Sequence, residues 1–224
     1  MLLPQECLGC GVSQTWLCED CQRRLILDIN HACYICRRPS LQGETHKQCN
    51  VDKTLDGLVV ACRQTPLLKD LIHTFKYEHV VDLSSELANL ILKKIELSPT
   101  INSLLLNPET VLVPVPLHRK KQWERGYNQA QLLAQEIADN FPVQLSVDAI
   151  MRQKNTKTQT ELPRNKRLGN VKGIFKVTKP ELLSKKIIVL IDDVCTTGAT
   201  LRELARACKL AEAKEVWAVT LTRD

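Results

Sequence analysis

Seven of the ten cysteines fall within the first 49 residues, and this clustering constrains the fold more tightly than any other feature. With one histidine they form two sets of four, Cys7-x2-Cys10-x7-Cys18-x2-Cys21 and Cys33-x2-Cys36-x9-His46-x2-Cys49. Two ligands separated by two residues form a knuckle, and two knuckles complete a tetrahedral zinc site. Because disulfides are rare in a reducing cytosol, the pairs predict metal binding. Redox thiols are the alternative, and the pairs could also be shared around one ion.

Residues 1–52 form a segment that needs a bound metal ion or a similar cross-link to fold. The segment has little apolar periodicity, and a piece this short cannot bury a core of its own. Catalytic zinc keeps an open coordination position, whereas complete sets of four ligands leave none, so we expect structural zinc, as one ion or two. Five basic and six acidic side chains nearly balance in this segment. That balance favours protein contact at least as much as binding to DNA phosphates.

The remaining residues, 53–224, have the pattern of an α/β domain. Apolar runs predict strands, and apolar residues at helical spacing predict helices. The unbroken apolar run at 187–191 is typical of a central parallel strand buried on both faces. Strands alternate with helices, so we predict a doubly wound, mostly parallel sheet with a small N-terminal zinc-ribbon module. The predicted strands are 55–62, 111–115, 143–147, 187–191 and 216–221; the predicted helices are 67–77, 84–95, 128–140 and 201–210; a linker is predicted at 98–107.

Length and composition are those of a globular protein, with 224 residues of which 44% are hydrophobic and 25% charged. No apolar run approaches the roughly 20 residues of a membrane span, and the start does not resemble a secretory signal. We therefore expect a soluble, cytoplasmic protein. Aromatic residues make up 4% of the chain, too few for an extended base-stacking groove. Trp123 and Tyr127 are the exception, because they flank a basic loop and either could stack on a base.

The stretch IIVLIDDVCTTGATL at 187–201 is the strongest signal for a ligand site. A buried strand ends in Asp192 and Asp193, a loop rich in threonine and glycine follows at 195–200, and a helix comes next. Ligands of open α/β sheets bind beyond the carboxyl ends of the strands, where backbone N–H groups and a helix N-terminus hold an anion. Gly198 permits close backbone approach, and the two carboxylates are placed to hold sugar hydroxyls. The alternative is an exposed acidic strand end followed by a capped helix.

A basic loop follows the predicted strand at 111–115. It carries four cations, Arg119, Lys120, Lys121 and Arg125. Neighbouring parallel strands would bring this loop beside the 195–200 loop, and arginine and lysine are suited to bind phosphate groups there. A solvated helix start is the alternative.

The segment 150–176 is more basic still, with eight basic side chains against one acidic. A long polar segment of this kind could close as a lid over a phosphorylated substrate. It could equally follow a nucleic-acid backbone, or be a merely solvated loop. Arg164, Lys166 and Arg167 are its candidate contact residues, together with Arg125 and Tyr127 of the preceding basic loop.

These segments resemble a known family. The stretch 187–201 resembles the 5-phosphoribosyl-1-pyrophosphate (PRPP) motif of type I phosphoribosyltransferases. Three segments in order, PVPLHRKKQWERGYNQAQLLA, TQTELPRNKRLGNVKGIF and VLIDDVCTTGATL, are together similar to the ComF family of competence proteins. The FKY sequence at 75–77 fits the same family, and so does a double zinc ribbon at the N-terminus. His46 departs from that pattern, which usually has cysteine at this position.

The resemblance implies roles for individual residues. Asp192 and Asp193 would contact the ribose hydroxyls, and Arg119 and Lys120 would join them as catalytic residues, with Lys121 also steadying the pyrophosphate. Mg²⁺ would enter with PRPP, held mainly by oxygens of the ligand. The loop binding the 5′-phosphate and its flanks would comprise Val194, Cys195, Thr196, Thr197, Gly198, Ala199 and Thr200.

The resemblance also implies a function. We expect a cytosolic protein that binds PRPP and handles incoming single-stranded DNA in natural competence, in contact with other competence proteins. One alternative is an active phosphoribosyltransferase, transferring the pentosyl group in nucleobase or nucleotide salvage. The other is a non-catalytic protein that binds DNA or partners and senses PRPP. The acceptor substrate is left open by the sequence.

Overall fold

A computed structural model describes residues 5–52, 54–153 and 173–224. The strands are β1 (Gly57–Cys62), β2 (Thr110–Pro114), β3 (Gln144–Leu145), β4 (Ile150–Arg152), β5 (Phe175–Val177), β6 (Ile187–Cys195) and β7 (Glu215–Arg223). The helices are α1 (Glu19–Arg24), α2 (Pro66–Tyr77), α3 (Leu83–Glu96), α4 (Pro99–Leu105), α5 (Arg119–Arg125), α6 (Gln129–Ala138) and α7 (Ala199–Leu210). Five strands form a parallel sheet in the order β1-β7-β6-β2-β3. The predicted doubly wound α/β fold is confirmed.

The central strand β6 separates two apolar clusters. Val189 and Ile191 pack on the side of α2, α3 and α6, whereas Ile188 and Leu190 pack on the side of α7. Successive strand residues point to opposite faces. The same alternation directs the two acids that follow to different sides, with Asp193 towards α2 and Asp192 towards the α7 side.

Three details differ from the sequence predictions. The predicted linker 98–107 contains α4, because proline is compatible with a first helical turn and Ile101 and Leu105 bury their side chains. The predicted strand 143–147 shrinks to the two residues of β3. Strand β6 runs beyond 191 to Cys195, so both acids lie within the last residues of the strand rather than after its end.

The basic segment 150–176 is described only at its ends. There β4 and β5 pair antiparallel as a small separate sheet. The candidate lid residues Arg164, Lys166 and Arg167 lie outside the described residues.

The N-terminal segment adds its buried side chains to the two clusters of the sheet. Leu17 and Leu25 join the cluster beside α2 and α3, and Tyr34 joins the cluster beside α7. The segment therefore packs directly on the α/β domain, at two different places. Among the described helices, none combines the length and apolar character required to cross a membrane.

Candidate functional site

The eight predicted metal ligands assemble into two groups of four. Within each group the sulfur or nitrogen ligand atoms all lie within 4.8 Å of one another. The first group is Cys7, Cys10, Cys18 and Cys21, and the second is Cys33, Cys36, His46 and Cys49. The pairs are therefore not shared around one ion, and each group could hold its own. Thiolate and imidazole are the ligands that zinc prefers in tetrahedral structural sites, so the residues fit zinc.

Local hydrogen bonds favour the thiolate form of one cysteine in each group. Burial raises the pKa of Cys7, but backbone N–H groups, led by that of Cys18, outweigh it and lower the pKa to about 6. The backbone N–H of Arg38 is the largest influence on Cys36 and lowers its pKa to about 6. His46 directs Nδ1 to Cys36 Sγ at 3.3 Å and Nε2 to the Pro39 carbonyl oxygen at 3.0 Å. A backbone carbonyl at Nε2 fixes the tautomer in which Nδ1 can bind metal.

The phosphate loop, defined as residues 195–200, leads from β6 into α7. Gly198 has a left-handed backbone with φ of 75° and precedes the first residue of the helix. Thr197 Oγ1 accepts a hydrogen bond of 3.3 Å from the backbone N–H of Ala199. A turn of this form directs backbone N–H groups and the positive end of a helix of 12 residues into the crevice at the strand ends. Cys195 is buried, which raises the pKa of its thiol to about 11.

The acid pair, Asp192 and Asp193, lies immediately before this loop. Asp193 is 7% exposed and forms an ion pair with Lys76 at the end of α2. Burial opposes ionisation of Asp193, but the Lys76 ammonium outweighs it and lowers the pKa of that carboxyl. Burial and the neighbouring Asp193 carboxylate raise the pKa of Asp192 well above its usual range. One lysine therefore faces two carboxyl groups.

Lys76 is a site residue that the sequence analysis missed. The apolar stripe of α2 runs through Leu68, Leu71, Ile72 and Phe75, and Lys76 stands four residues after Ile72, on the same side of the helix. The sequence did carry a signal for this residue, because Lys76 occupies a position where the helical pattern predicts an apolar side chain. Its FKY context entered only as part of the resemblance.

The basic loop is divided by the structure. Arg119 and Lys120 at the start of α5 are exposed. Lys121 and Arg125 instead line, with Lys76, a cavity of about 180 Å³ whose other walls are Tyr77, His79 and Glu124. This basic cavity adjoins the acid pair through Lys76.

Arg125 is held firmly in that wall. Its guanidinium lies over the ring of Tyr77, 5.0 Å from the centroid, and donates to Gln129 Oε1 at 3.1 Å. Tyr127 is half-buried and donates its hydroxyl to the carbonyl oxygen of Phe75. Trp123, by contrast, is 86% exposed on α5.

Arg152 lies at the end of β4, with its guanidinium 6.0 Å from the centroid of the Phe175 ring. Burial lowers the pKa of Arg152, and the charge of Asp192 opposes that shift. Lys76 of α2 thus forms an ion pair with Asp193, whereas the link between Arg152 of β4 and Asp192 is the electrostatic influence on the pKa of Arg152.

Comparison with known proteins agrees with this geometry. The phosphoribosyl transferase domain family matches residues 128–224, which include the acid pair and the phosphate loop. The DNA utilization protein YhgH of Escherichia coli K12 is 30% identical over 227 residues, covering 92% of this chain and 96% of that protein. Competence protein ComFC of Bacillus subtilis is 32% identical over 217 residues, covering 93% and 84%. The chain belongs to the ComF family. Competence protein F of Haemophilus influenzae is a further relative, 28% identical over 97% of this chain.

Membership confirms the resemblance drawn from the three motifs. The ComF chain carries a phosphoribosyltransferase domain on a five-stranded parallel sheet and two N-terminal groups of residues that could each hold a metal ion. The boundary at residue 52 and the roles of individual site residues stay predictions.

Proposed function

We propose that this ComF protein binds PRPP with Mg²⁺ in the crevice between the acid pair and the phosphate loop. The observation that carries the proposal is the order of groups along one short segment. Two carboxyls lie near the end of the central strand, and the left-handed turn at Gly198 follows shortly before α7. Carboxylates accept hydrogen bonds from sugar hydroxyls, and the turn suits a phosphate. A ribose 5-phosphate has both groups at matching ends.

The basic cavity is the proposed pyrophosphate subsite. Lys76, Lys121 and Arg125 line it, and all three can bind phosphate oxygens. Arg119 and Lys120, exposed on α5, would contact the ligand only from the rim. The Lys76 ammonium would then interact with the pyrophosphate as well as with Asp193. Asp193 could in turn accept a hydrogen bond from a ribose hydroxyl.

With an acceptor present, the proposed chemistry is transfer of the ribosyl group. A nucleophile forms a bond to the ribose C1 while the C1–O bond breaks, and the electron pair leaves with pyrophosphate. The basic cavity would stabilise the charge that develops on the leaving group, and the acid pair would hold the ring in place. Mg²⁺ would supply further charge on the pyrophosphate oxygens. Nucleobase salvage, the alternative, predicts pyrophosphate release that depends on one particular base.

Calorimetric titration of Mg–PRPP into the purified protein tests the site. We expect binding by the unmodified chain and loss of binding in the double variant Asp192→Asn/Asp193→Asn. Asp139→Asn, an exposed carboxyl change at the end of α6, is the matched control and should bind normally. Absence of binding in the unmodified chain would contradict the proposal.

We further propose a role in natural competence, in which the protein handles incoming single-stranded DNA in the cytosol. The names of the relatives, competence protein and DNA utilization protein, support it. So does the outer face of α5, where Trp123 stands among the exposed cations Arg119 and Lys120. Exposed aromatics beside cations stack on bases and neutralise phosphates.

Binding of a fluorescent oligonucleotide at several salt concentrations tests the DNA role. Affinity should fall steeply with salt, and Trp123→Ala should cost about 1–3 kcal/mol of binding energy if the indole stacks on a base. Leu210→Ala removes a similarly exposed apolar side chain, 78% exposed on α7, and should leave DNA binding unchanged. Binding of both DNA and PRPP, with no release of pyrophosphate when nucleobases are supplied as acceptors, would favour the non-catalytic alternative.

A further inference from the structure

The second metal group lies against the phosphate loop. Tyr34, between its ligands Cys33 and Cys36, is 3% exposed and belongs to the same apolar cluster as Cys195 and Ala199. Its ring covers Gly198 so closely that a Cβ there would lie 3.2 Å from Tyr34 Cδ2. A side chain of the metal knuckle therefore packs on the residue that gives the loop its left-handed turn.

Three arginine contacts join the same two parts of the molecule. Arg37, next to the ligand Cys36, donates to the backbone oxygen of Asp224 at 3.1 Å. In the opposite direction, Arg223 of β7 donates to the carbonyl oxygen of Tyr34. Arg202 of α7 forms an ion pair with Asp52. Each contact has one partner in residues 33–52 and the other in α7 or at the end of β7.

The three arginines and the loop share the walls of one cavity of about 260 Å³. Each guanidinium already has a protein oxygen as partner across the junction, so we interpret the arginines as fixing the junction. The backbone N–H of Asp224 also donates to the carbonyl oxygen of Cys195 at 3.0 Å. This bond continues the chain of contacts from Arg37 to the first residue of the loop.

The first metal group packs elsewhere. Gly9, beside its ligand Cys10, approaches Leu67 at the start of α2, and Leu17 and Leu25 join the cluster on that side of the sheet. The two metal groups are therefore not equivalent, although their ligand spacing is similar. This difference provides an internal control.

We propose that the second metal group positions the phosphate loop through Tyr34, so that a metal ion bound there raises the affinity of the loop for a phosphate ester. A structural ion fixes the conformation of its knuckle, the knuckle fixes Tyr34, and Tyr34 holds the turn at Gly198. An anion site binds tightly when its N–H donors are already oriented, because the ligand then has less ordering to impose. The inference rests on the proposed function, since it presumes that the loop binds phosphate.

Ribose 5-phosphate and Mg–pyrophosphate are the two probes of the test, titrated calorimetrically into the zinc-loaded full chain. Tyr34→Leu should weaken ribose 5-phosphate about tenfold, roughly the effect of one misplaced hydrogen bond, and leave pyrophosphate binding unchanged. Trp16→Leu makes a comparable change in the first metal segment, where Trp16 packs against the other cluster, and should alter neither probe.

Metal ligands give a second comparison. Cys36→Ala and Cys18→Ala change half-buried ligands of the second and first group. Each should lose one zinc ion by elemental analysis, but Cys36→Ala alone should weaken ribose 5-phosphate. His46→Cys gives the second group four thiolates, and this variant should keep both its zinc ion and its affinity for ribose 5-phosphate. If Cys36→Ala does not fold, the Tyr34→Leu titration decides.

Two results would overturn the inference alone while the proposed function stands. One is Tyr34→Leu binding ribose 5-phosphate as the unmodified chain does. The other is equal weakening of both probes, which indicates general loss of structure. If the unmodified chain binds neither PRPP nor ribose 5-phosphate, the proposed function fails and this inference fails with it.

Discussion

Replacing Lys76 by methionine should destabilise the fold, because it removes the cation that offsets a buried acid pair. The partner side chains Lys76 and Asp193 are 19% and 10% exposed. Breaking a fully buried pair costs about 3–5 kcal/mol, and exposed pairs contribute about 0–1 kcal/mol. Removing Lys76 from a pair this close to the buried limit should therefore lower the free energy of unfolding by about 2–3 kcal/mol. For a chain of this size, that lowers the melting temperature by about 4–12 °C.

A double-mutant cycle isolates the ion pair. Lys76→Met, Asp193→Asn and the double variant should be compared with the unmodified chain by urea unfolding at pH 7.5. The single changes should each destabilise, and the double variant should recover much of the loss, since neither charge is then buried alone. Lys69→Met, an exposed lysine of the same helix, is the control and should stay within about 0.5 kcal/mol.

The pH dependence of this effect has a definite sign. Lys76 lowers the pKa of Asp193 in the folded state, so the stabilisation is present above the ordinary carboxyl pKa of about 3.9. It is lost as the pH falls through the lowered folded value. The cost of Lys76→Met should therefore shrink in acid and grow as the pH rises, because without Lys76 burial opposes ionisation of Asp193 with no cation to offset it. A coupling energy below about 0.5 kcal/mol, or an effect no larger than that of Lys69→Met, would refute the reasoning.

Three further predictions concern the acids, the loop and the metal. Asp192→Asn should raise the melting temperature, and the gain should grow with pH, because a raised folded pKa makes the ionised carboxyl increasingly unfavourable; a gain that falls with pH would contradict this. Gly198→Ala should cost about 1–2 kcal/mol for a left-handed alanine and abolish ribose 5-phosphate binding, as checked by thermal melting and calorimetry. Elemental analysis should find two zinc ions per chain, one for each group of ligands, and a single ion would show that the groups do not fill independently.

The strongest sequence signals concerned the sheet and the ligands held by local spacing. An apolar run such as 187–191 can only be a buried strand when turns and helices surround it, and a Cys-x2-Cys pair brings its own ligands together. The helix Pro99–Leu105 was missed because a proline and polar residues resemble a linker, while burial of Ile101 and Leu105 decided the matter. Contacts between residues that are far apart in the chain could not be predicted from the sequence. Lys76 and Asp193 are 117 positions apart in the chain, and Tyr34 meets Gly198 only through the docking of the metal segment.

The acid pair is costly to the fold, and that cost is itself an argument for a ligand. A strand end has no structural need for two adjacent carboxyls, and here one of them is held at a raised pKa by burial and by its neighbour. Lys76 forms its ion pair with Asp193 and not with Asp192. Strongly shifted carboxyls in a crevice are typical of functional sites rather than of stabilising ones. Under the proposed function, ribose hydroxyls would supply further hydrogen-bond donors to the acids, and pyrophosphate would engage the cations of the basic cavity. The electrostatic arrangement of the acid pair therefore supports the proposal of a ligand that carries both hydroxyl and phosphate groups.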